Sequence, residues 1–299
     1  MAQVLISGGT GLVGKALCEK LQAKGYDVAI LSRANKDKFK TYLWDPQNNQ
    51  IDPEAIASSD YIINLAGANI AEKRWSSSRK KLILDSRIQS ANLIFNEVKK
   101  QNKELKAFIS ASAVGYYGAV TSDKIFTEDQ VASGDFLGQT CVKWESAAKQ
   151  FETLNIKTTI LRTGLVLNQK GGALSKMIIP IKLGLASALG SGDQYLPWIH
   201  IDDLCEIYIK AIEDVSMKGV FNAVAPDFQT NNSFTHALAK MLNKPYWLPN
   251  TPSFFLKLIL GDMSDLLLKG SRVSSNKILK NEFNFRFPKL EDALRDLLK

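Results

Sequence analysis

The stretch Val4-Leu5-Ile6-Ser7-Gly8-Gly9-Thr10-Gly11-Leu12-Val13-Gly14-Lys15-Ala16-Leu17 decides the fold. Val4 to Ile6 is an apolar run of strand length, four glycines then fall between Ser7 and Gly14, and Val13, Ala16, Leu17 and Leu21 recur at helical spacing. The order is strand, glycine turn, helix. Gly8 and Gly11 let the backbone turn sharply and approach a pyrophosphate, Gly14 lets the helix lie close on the strand, and the free N–H groups of the helix start bind the anion. This reads as a dinucleotide-binding turn.

Working outward, Asp27-Val28-Ala29-Ile30-Leu31 reads as a second strand that stops at Ser32-Arg33. An acidic residue there accepts hydrogen bonds from the ribose 2′-OH of NAD, whereas an arginine pairs with a 2′-phosphate. Arg33 with Ser32, and Lys36 and Lys38 close by, therefore predict NADP(H). Trp44 to Gln50 is rich in turn formers and is assigned no chemistry. Further strands are read at Tyr61–Leu65, running into Ala66-Gly67-Ala68, at Ala107–Ser112, running into Ala113-Val114-Gly115-Tyr116-Tyr117-Gly118, and at Thr158–Arg162, followed by Thr163-Gly164. Between them lie a long basic helical region from about Ala71 to Lys100, and a helix opening at Asp135 with Cys141, Trp144, Ala148 and Phe151 on one face. Strands alternating with helices predict an α/β fold, a Rossmann-type doubly wound parallel sheet with its ligand at the strand ends. Small hydroxyl residues such as Ser112 are then well placed to reach a substrate oxygen. His200 reads as a hydrogen-bonded core residue, with Asp202 or Asp203 capping the helix that follows. From about Asn222 the character changes to short helices, which predicts a dinucleotide-binding domain over 1–221, with substrate-side segments from about 168–200, and a small C-terminal domain over 222–299.

The 299 residues are 45% apolar, enough for a sizeable core. The net charge of +8 is spread along helices without interleaved aromatics, so a nucleic-acid partner is not expected. Cys18, Cys141 and Cys205 look like free core thiols, without disulfide or metal spacing. No secretory signal opens the chain, and Phe254 to Leu268 is interrupted by Lys257, Asp262 and Asp265 and cannot span a bilayer. The expectation is a cytoplasmic protein, monomer or homodimer, with a small-molecule substrate and no membrane partner.

The GxxGxxG spacing, Asn64-Leu65-Ala66-Gly67, Arg74-Trp75, Ser112-Ala113-Val114-Gly115-Tyr116-Tyr117-Gly118, Lys143-Trp144-Glu145, Gly190-Ser191-Gly192-Asp193 through Leu204, and the tail from Leu266 to Leu279 resemble atypical extended short-chain dehydrogenase/reductases, epimerase-like proteins ending in a small domain of unknown function. The resemblance implies a cofactor held by Gly8, Thr10, Gly11, Leu12, Val13, Gly14, Ser32, Arg33, Leu65, Ala66, Gly67, Ser110, Ala111, Lys143, Arg162 and Thr163. It adds Arg87, through a Ser-Arg pair that reaches the cofactor; read alone, Arg87 serves equally as a surface residue. It implies Ser112 as the active-site serine, a hydrogen-bond donor to substrate. The superfamily's proton-exchanging YxxxK pair is incomplete, because Lys143 has Gln139 four residues before it. Tyr117, beside Gly118, is expected to face the nicotinamide in its place, with Tyr116 as the second phenol. The function implied is an NADP(H)-dependent oxidoreductase or epimerase acting on a small carbonyl, alcohol or sugar-type substrate. The alternative is a cofactor-binding regulatory protein with weak or no turnover.

Overall fold

The chain, described here from a computed structural model over residues 1–35 and 38–299, opens as β1 (Gln3–Ser7), α1 (Leu12–Ala23), β2 (Asp27–Ser32), β3 (Lys40–Asp45), β4 (Gln50–Ile51), α2 (Pro53–Ala57), β5 (Tyr61–Asn64), α3 (Ser77–Lys100) and β6 (Ala107–Ala113). A 3-10 turn at Val114–Tyr117 leads to β7 (Ile125–Phe126), α4 (Phe136–Lys149), β8 (Thr158–Thr163), β9 (Leu165–Leu167), α5 (Gly172–Lys182), β10 (Trp198–His200), α6 (Ile201–Glu213) and β11 (Gly219–Ala223). The remainder is α7 (Asn231–Met241), α8 (Ser253–Leu260), α9 (Asp265–Leu268), β12 (Arg272–Val273), α10 (Asn276–Lys280) and α11 (Leu290–Leu297). Lys36, counted above toward the charge at the end of β2, lies outside the described residues.

One sheet of eight strands organises the molecule, in the order β11-β8-β6-β5-β1-β2-β3-β4, parallel throughout except for the short β4. The chain starts in the middle, winds outward through β2 and β3, then returns to the other side of β1 at β5. That reversal leaves a crevice beyond the carboxyl ends of β1 and β5, where ligands of doubly wound sheets bind. Strand residues alternate between two cores, as a pleated strand requires. Val4, Ile6, Val28 and Ile30 pack with α1 and α6, whereas Leu5, Ala29, Leu31 and Ile62 pack with α3 and Phe151. This is the Rossmann-type α/β fold that the sequence predicts.

The long basic helix begins at Ser77 rather than near Ala71, because the Ser76 side chain accepts from the Arg79 N–H and caps it there. The cap of α6 is His200, whose Nδ1 accepts from the Asp202 N–H at 3.1 Å; Asp203 instead accepts the main-chain N–H groups of Arg286 and Phe287 at 2.8 and 3.0 Å. Thus neither aspartate is the cap, and Asp203 anchors the C-terminal tail. A third core of Trp198, Phe234, Leu238, Leu290 and Leu294 joins β10, α7 and α11. The tail also reaches the strand ends: β12 pairs with β7, Ser271 Oγ donates to the Gly118 carbonyl at 3.0 Å, and Lys80 pairs with Asp262 at 2.6 Å. The three cysteines are buried and unpaired. Among the described residues no helix is long and apolar enough to cross a membrane.

Candidate cofactor and substrate site

The glycine turn shows why its residues are small. Gly8 has φ +74°, and a Cβ there would lie 2.9 Å from the Leu65 carbonyl carbon, so the ends of β1 and β5 meet through it. A Cβ on Gly14 would lie 2.2 Å from the Gly8 oxygen and 2.6 Å from Gly9 Cα, so only glycine lets α1 start against the turn. Gly11 is the N-cap, no side chain caps α1, and its first turn holds no acid. The first amides of α1, including those of Leu12, Val13 and Gly14, therefore face outward with the positive end of the helix dipole. Leu12 packs under the Gly171-Gly172 turn, at 3.0 Å from where a Gly172 Cβ would stand.

From this cradle runs a cleft of about 650 Å³, lined among others by Gly8, Thr10, Gly11, Ser32, Arg33 and Leu65 to Gly67. An uncapped helix start, a glycine floor and an exposed arginine at the far wall fit a dinucleotide phosphate chain. Sequence reading missed one wall. Trp44 to Gln47, to which it assigned no chemistry, line this cleft because β3 neighbours β2 and ends at the same crevice. Asp45 is therefore an acid within the cleft, but its oxygens already accept from the Asn48 side chain at 2.8 Å and the Gln47 N–H at 3.0 Å. Arg79, Glu72 and Asn69 form the opposite lip, with Arg79 Nη2 donating to Glu72 at 2.7 Å.

Arg87 stands behind that wall rather than in it. Its Nη1 donates to the carbonyls of Ala68 at 3.2 Å and Ile83 at 2.7 Å, its guanidinium lies 4.9 Å from the Trp144 ring centre, and burial pulls its pKa down to about 10. A Cβ on Gly67 would touch it at 3.2 Å, so Arg87 braces the Gly67-Ala68 turn while Ser86 faces the cleft.

At the end of β6 lies a buried polar chain that joins five elements, β6, α4, β8, the 3-10 turn and β11. Ser112 Oγ donates to Glu145 Oε1 at 2.7 Å; Arg162 donates to both Glu145 oxygens at 2.8 and 2.9 Å; Arg162 Nη1 donates to the Tyr117 hydroxyl at 3.0 Å; and that hydroxyl donates to Asn222 Oδ1 at 2.7 Å. Asn222 passes the chain to the C-terminal tail through the Ser274 carbonyl at 3.0 Å. Ser110 and Ala111 precede this chain within β6, Ser110 fully buried, and Thr163 ends β8 beside it.

This arrangement corrects four expectations. Tyr117 is buried, its hydroxyl is engaged on both sides, and burial pushes its pKa up to about 12, away from what an acid/base at neutral pH needs. Tyr116 is the half-buried phenol of the pair, its ring stacked 3.3 Å from the Arg162 guanidinium. Arg162 directs four of its five N–H donors to Glu145, Tyr117 and the Glu128 carbonyl, so its main role here is to hold this chain together rather than the expected contact to cofactor. The Ser112 hydroxyl donates its one hydrogen bond to Glu145, which leaves its oxygen to accept from a ligand rather than to donate as expected. Lys143 and Gln139 are exposed on the outer face of α4, Gln139 reaching only the Ser133 carbonyl at 3.4 Å. The helix face turned to the strand end carries Leu137, Cys141 and Glu145: a Gly115 Cβ would meet Leu137 at 3.4 Å and Cys141 Sγ at 3.9 Å, and Cys141 Sγ donates to the Ala113 carbonyl at 3.6 Å. Glu145, Asn222 and Glu128 were not singled out from the sequence; an acid and an arginine at the buried ends of successive apolar elements were the available signal for the first.

The sequence model of the NAD dependent epimerase/dehydratase family matches residues 4–223, and that of a domain of unknown function, DUF1731, matches 251–297. The epimerase family protein YfhF of Bacillus subtilis is 36% identical, covering 99% of this chain and 97% of its own. The epimerase family protein SSP1921 of Staphylococcus saprophyticus is 36% identical over the whole of both chains. Among solved structures, human epimerase family protein SDR39U1 with NADPH superposes with a TM-score of 0.87 at 32% identity, over 99% of this chain and 98% of that one. UDP-N-acetylglucosamine 4-epimerase of Bacillus cereus shares the fold at a TM-score of 0.79 and 16% identity, over 100% of both chains.

Proposed function

The chain belongs to the NAD dependent epimerase/dehydratase family, and on that premise we propose that it binds NADP(H) in the cleft at the ends of β1, β2 and β5 and acts as an oxidoreductase or epimerase on a small carbonyl, alcohol or sugar-type substrate. The observation that carries this reading is the pairing of an uncapped, glycine-floored helix start with Arg33 on the cleft wall. The NADPH held by the similar human protein supports it. When bound, the cofactor supplies or accepts the hydride. The first amides of α1 hold the pyrophosphate, Arg33 pairs with the 2′-phosphate, and Asp45, tied to its own turn, does not compete for the ribose. At the strand end Ser112 Oγ accepts a hydrogen bond from a substrate hydroxyl, and Tyr116 is the phenol of the pair that is only half-buried. Three buried free thiols suit a reducing compartment, and we place the protein in the cytoplasm.

The 2′-phosphate contact is tested by calorimetric titration. NADPH is expected to bind about 10- to 150-fold more tightly than NADH, as a charge-assisted bond worth roughly 1.5–3 kcal/mol requires. Arg33→Ala should abolish the difference. Equal constants for the two cofactors in the parent protein defeat the assignment.

A second reading, a cofactor-binding regulatory protein, draws on one observation: Leu137 and Cys141 hold the α4 face toward Ser112, and burial pushes the Cys141 thiol up to about 12. Neither exchanges protons readily at neutral pH. The two tyrosines separate the readings. Tyr117→Phe should lower stability by about 1–3 kcal/mol in urea unfolding, because Asn222 and Arg162 lose a buried partner. Tyr116→Phe should leave stability nearly unchanged and slow single-turnover oxidation of bound NADPH by carbonyl substrates. If no aldehyde, ketone or keto-sugar oxidises it at all, the regulatory reading prevails.

A further inference from the structure

Two segments beside the site expose large apolar side chains without any acid among them. Residues 153–192 and 228–261 contain no Asp or Glu, yet carry lysines that include Lys176, Lys182, Lys244 and Lys257, all four exposed. In the second segment α8 has no buried residue; Phe254 and Leu258 are 71% and 72% exposed, and Phe255 and Ile259 about half. At about 100° per residue these four fall within roughly 140° of one another, forming one apolar stripe with Lys257 at its border. Trp247, 72% exposed, precedes it. The first segment adds exposed Leu183 and Leu185. Hydrogen bonds hold the segments together: Ser187 Oγ to the Pro249 carbonyl at 2.7 Å, Thr251 N–H to Ala188 at 2.7 Å and Gly190 N–H to Thr251 at 2.9 Å.

We propose that this face docks on an anionic phospholipid surface, with α8 lying in the headgroup plane, Trp247 at the water boundary and the lysines against lipid phosphates. An exposed apolar stripe needs a partner, and one carried on segments whose charged side chains are all cationic, with Asp193 and the Lys80-paired Asp262 only just past their C-terminal ends, fits a negative bilayer surface, where aromatic and aliphatic side chains bury and lysines reach out to the headgroups. A second copy of the chain fits less well, since two-fold pairing sets the same acid-free, lysine-bearing face against itself with no countercharge. The lack of a crossing helix, on which the sequence expectation of no membrane partner rests, does not bear on association at the surface.

The molecule carries its own reporter. Trp44, Trp75, Trp144 and Trp198 are buried, so Trp247 is the tryptophan that a surface event changes. The expected result is flotation of the full-length protein with vesicles of phosphatidylcholine and phosphatidylglycerol, a blue shift of its emission, and neither effect with phosphatidylcholine alone. Each lysine should contribute about fivefold to the partition at low salt, so Lys182→Glu with Lys257→Glu should release the protein by at least about 25-fold. Phe254→Ser with Leu258→Ser should abolish flotation while urea unfolding stays cooperative; should that pair fail to fold, the lysine pair and the salt dependence decide. Trp247→Phe should remove the shift and keep the flotation. Absence of flotation, or equal partition to neutral and anionic vesicles, overturns the proposal. A blue shift that grows with protein concentration without lipid, together with a dimer mass in sedimentation, overturns it in favour of a second copy.

Discussion

Replacing Glu145 with alanine is expected to cost about 3–5 kcal/mol of folding stability, a large share of the roughly 5–15 kcal/mol by which globular chains stay folded. Glu145 and Arg162 are each nearly fully buried and pair through two bonds of 2.8 and 2.9 Å. Removing the acid strands a guanidinium in the interior, and Ser112 loses the acceptor for its proton at the same time. The measurement is urea unfolding, read from the midpoint at unchanged slope. A cycle with Arg162→Met distinguishes pairing from packing. If the stranded charge is the cause, the double variant Glu145→Met, Arg162→Met should recover much of the loss, because a buried pair replaced by apolar residues of similar volume is often near neutral. A Glu145→Ala loss below about 1 kcal/mol would show that the pair is solvated in solution.

What the sequence shows well is local. The strand, glycine turn and helix at Val4–Leu21 follow from contacts within a few residues, and the close approach at Gly14 has a direct reading because only backbone is involved. The cleft wall at Arg33 was legible for the same reason: it is the end of an apolar strand. The register of α4 was misjudged because Lys143 was matched to a pattern by spacing rather than by face. Cys141, Trp144 and Ala148 already marked the buried stripe, and position 143 lies about 200° around the helix from position 141. The stripe implied the finding that Leu137, Cys141 and Glu145 turn to Ser112. Tyr117 was beyond local reading, since its partner Asn222 is 105 residues away and the adjoining Gly118 gave no sign of it. Trp44 to Gln47 escaped because what places them on the cleft is the pairing of β3 with β2, a property of the sheet.

The other large effect is expected at Gly14, where one added carbon should abolish cofactor binding without abolishing the fold. A Cβ there meets the Gly8 oxygen at 2.2 Å and Gly9 Cα at 2.6 Å, both backbone atoms of the turn, so neither can swing away as a flexible side chain would. Overpacking of this kind costs about 1–3 kcal/mol, and the relief available is to move α1 off the turn. That shift withdraws the helix-start amides from the pyrophosphate position and alters the Gly8 contact with Leu65. For Gly14→Ala, loss of at least about 10³-fold in NADPH affinity, or roughly 4 kcal/mol, is expected by calorimetry. Two glycines serve as controls. A Gly11 Cβ would meet only the Gly8 oxygen, at 3.2 Å, so Gly11→Ala should weaken binding far less. Gly25 has open space around it but φ +86°, so Gly25→Ala should lower stability by about 1 kcal/mol through backbone strain and leave NADPH affinity unchanged. If Gly14→Ala binds NADPH as tightly as Gly25→Ala does, the cofactor does not sit on this turn, and the cradle of amides at the start of α1 is not its anion site.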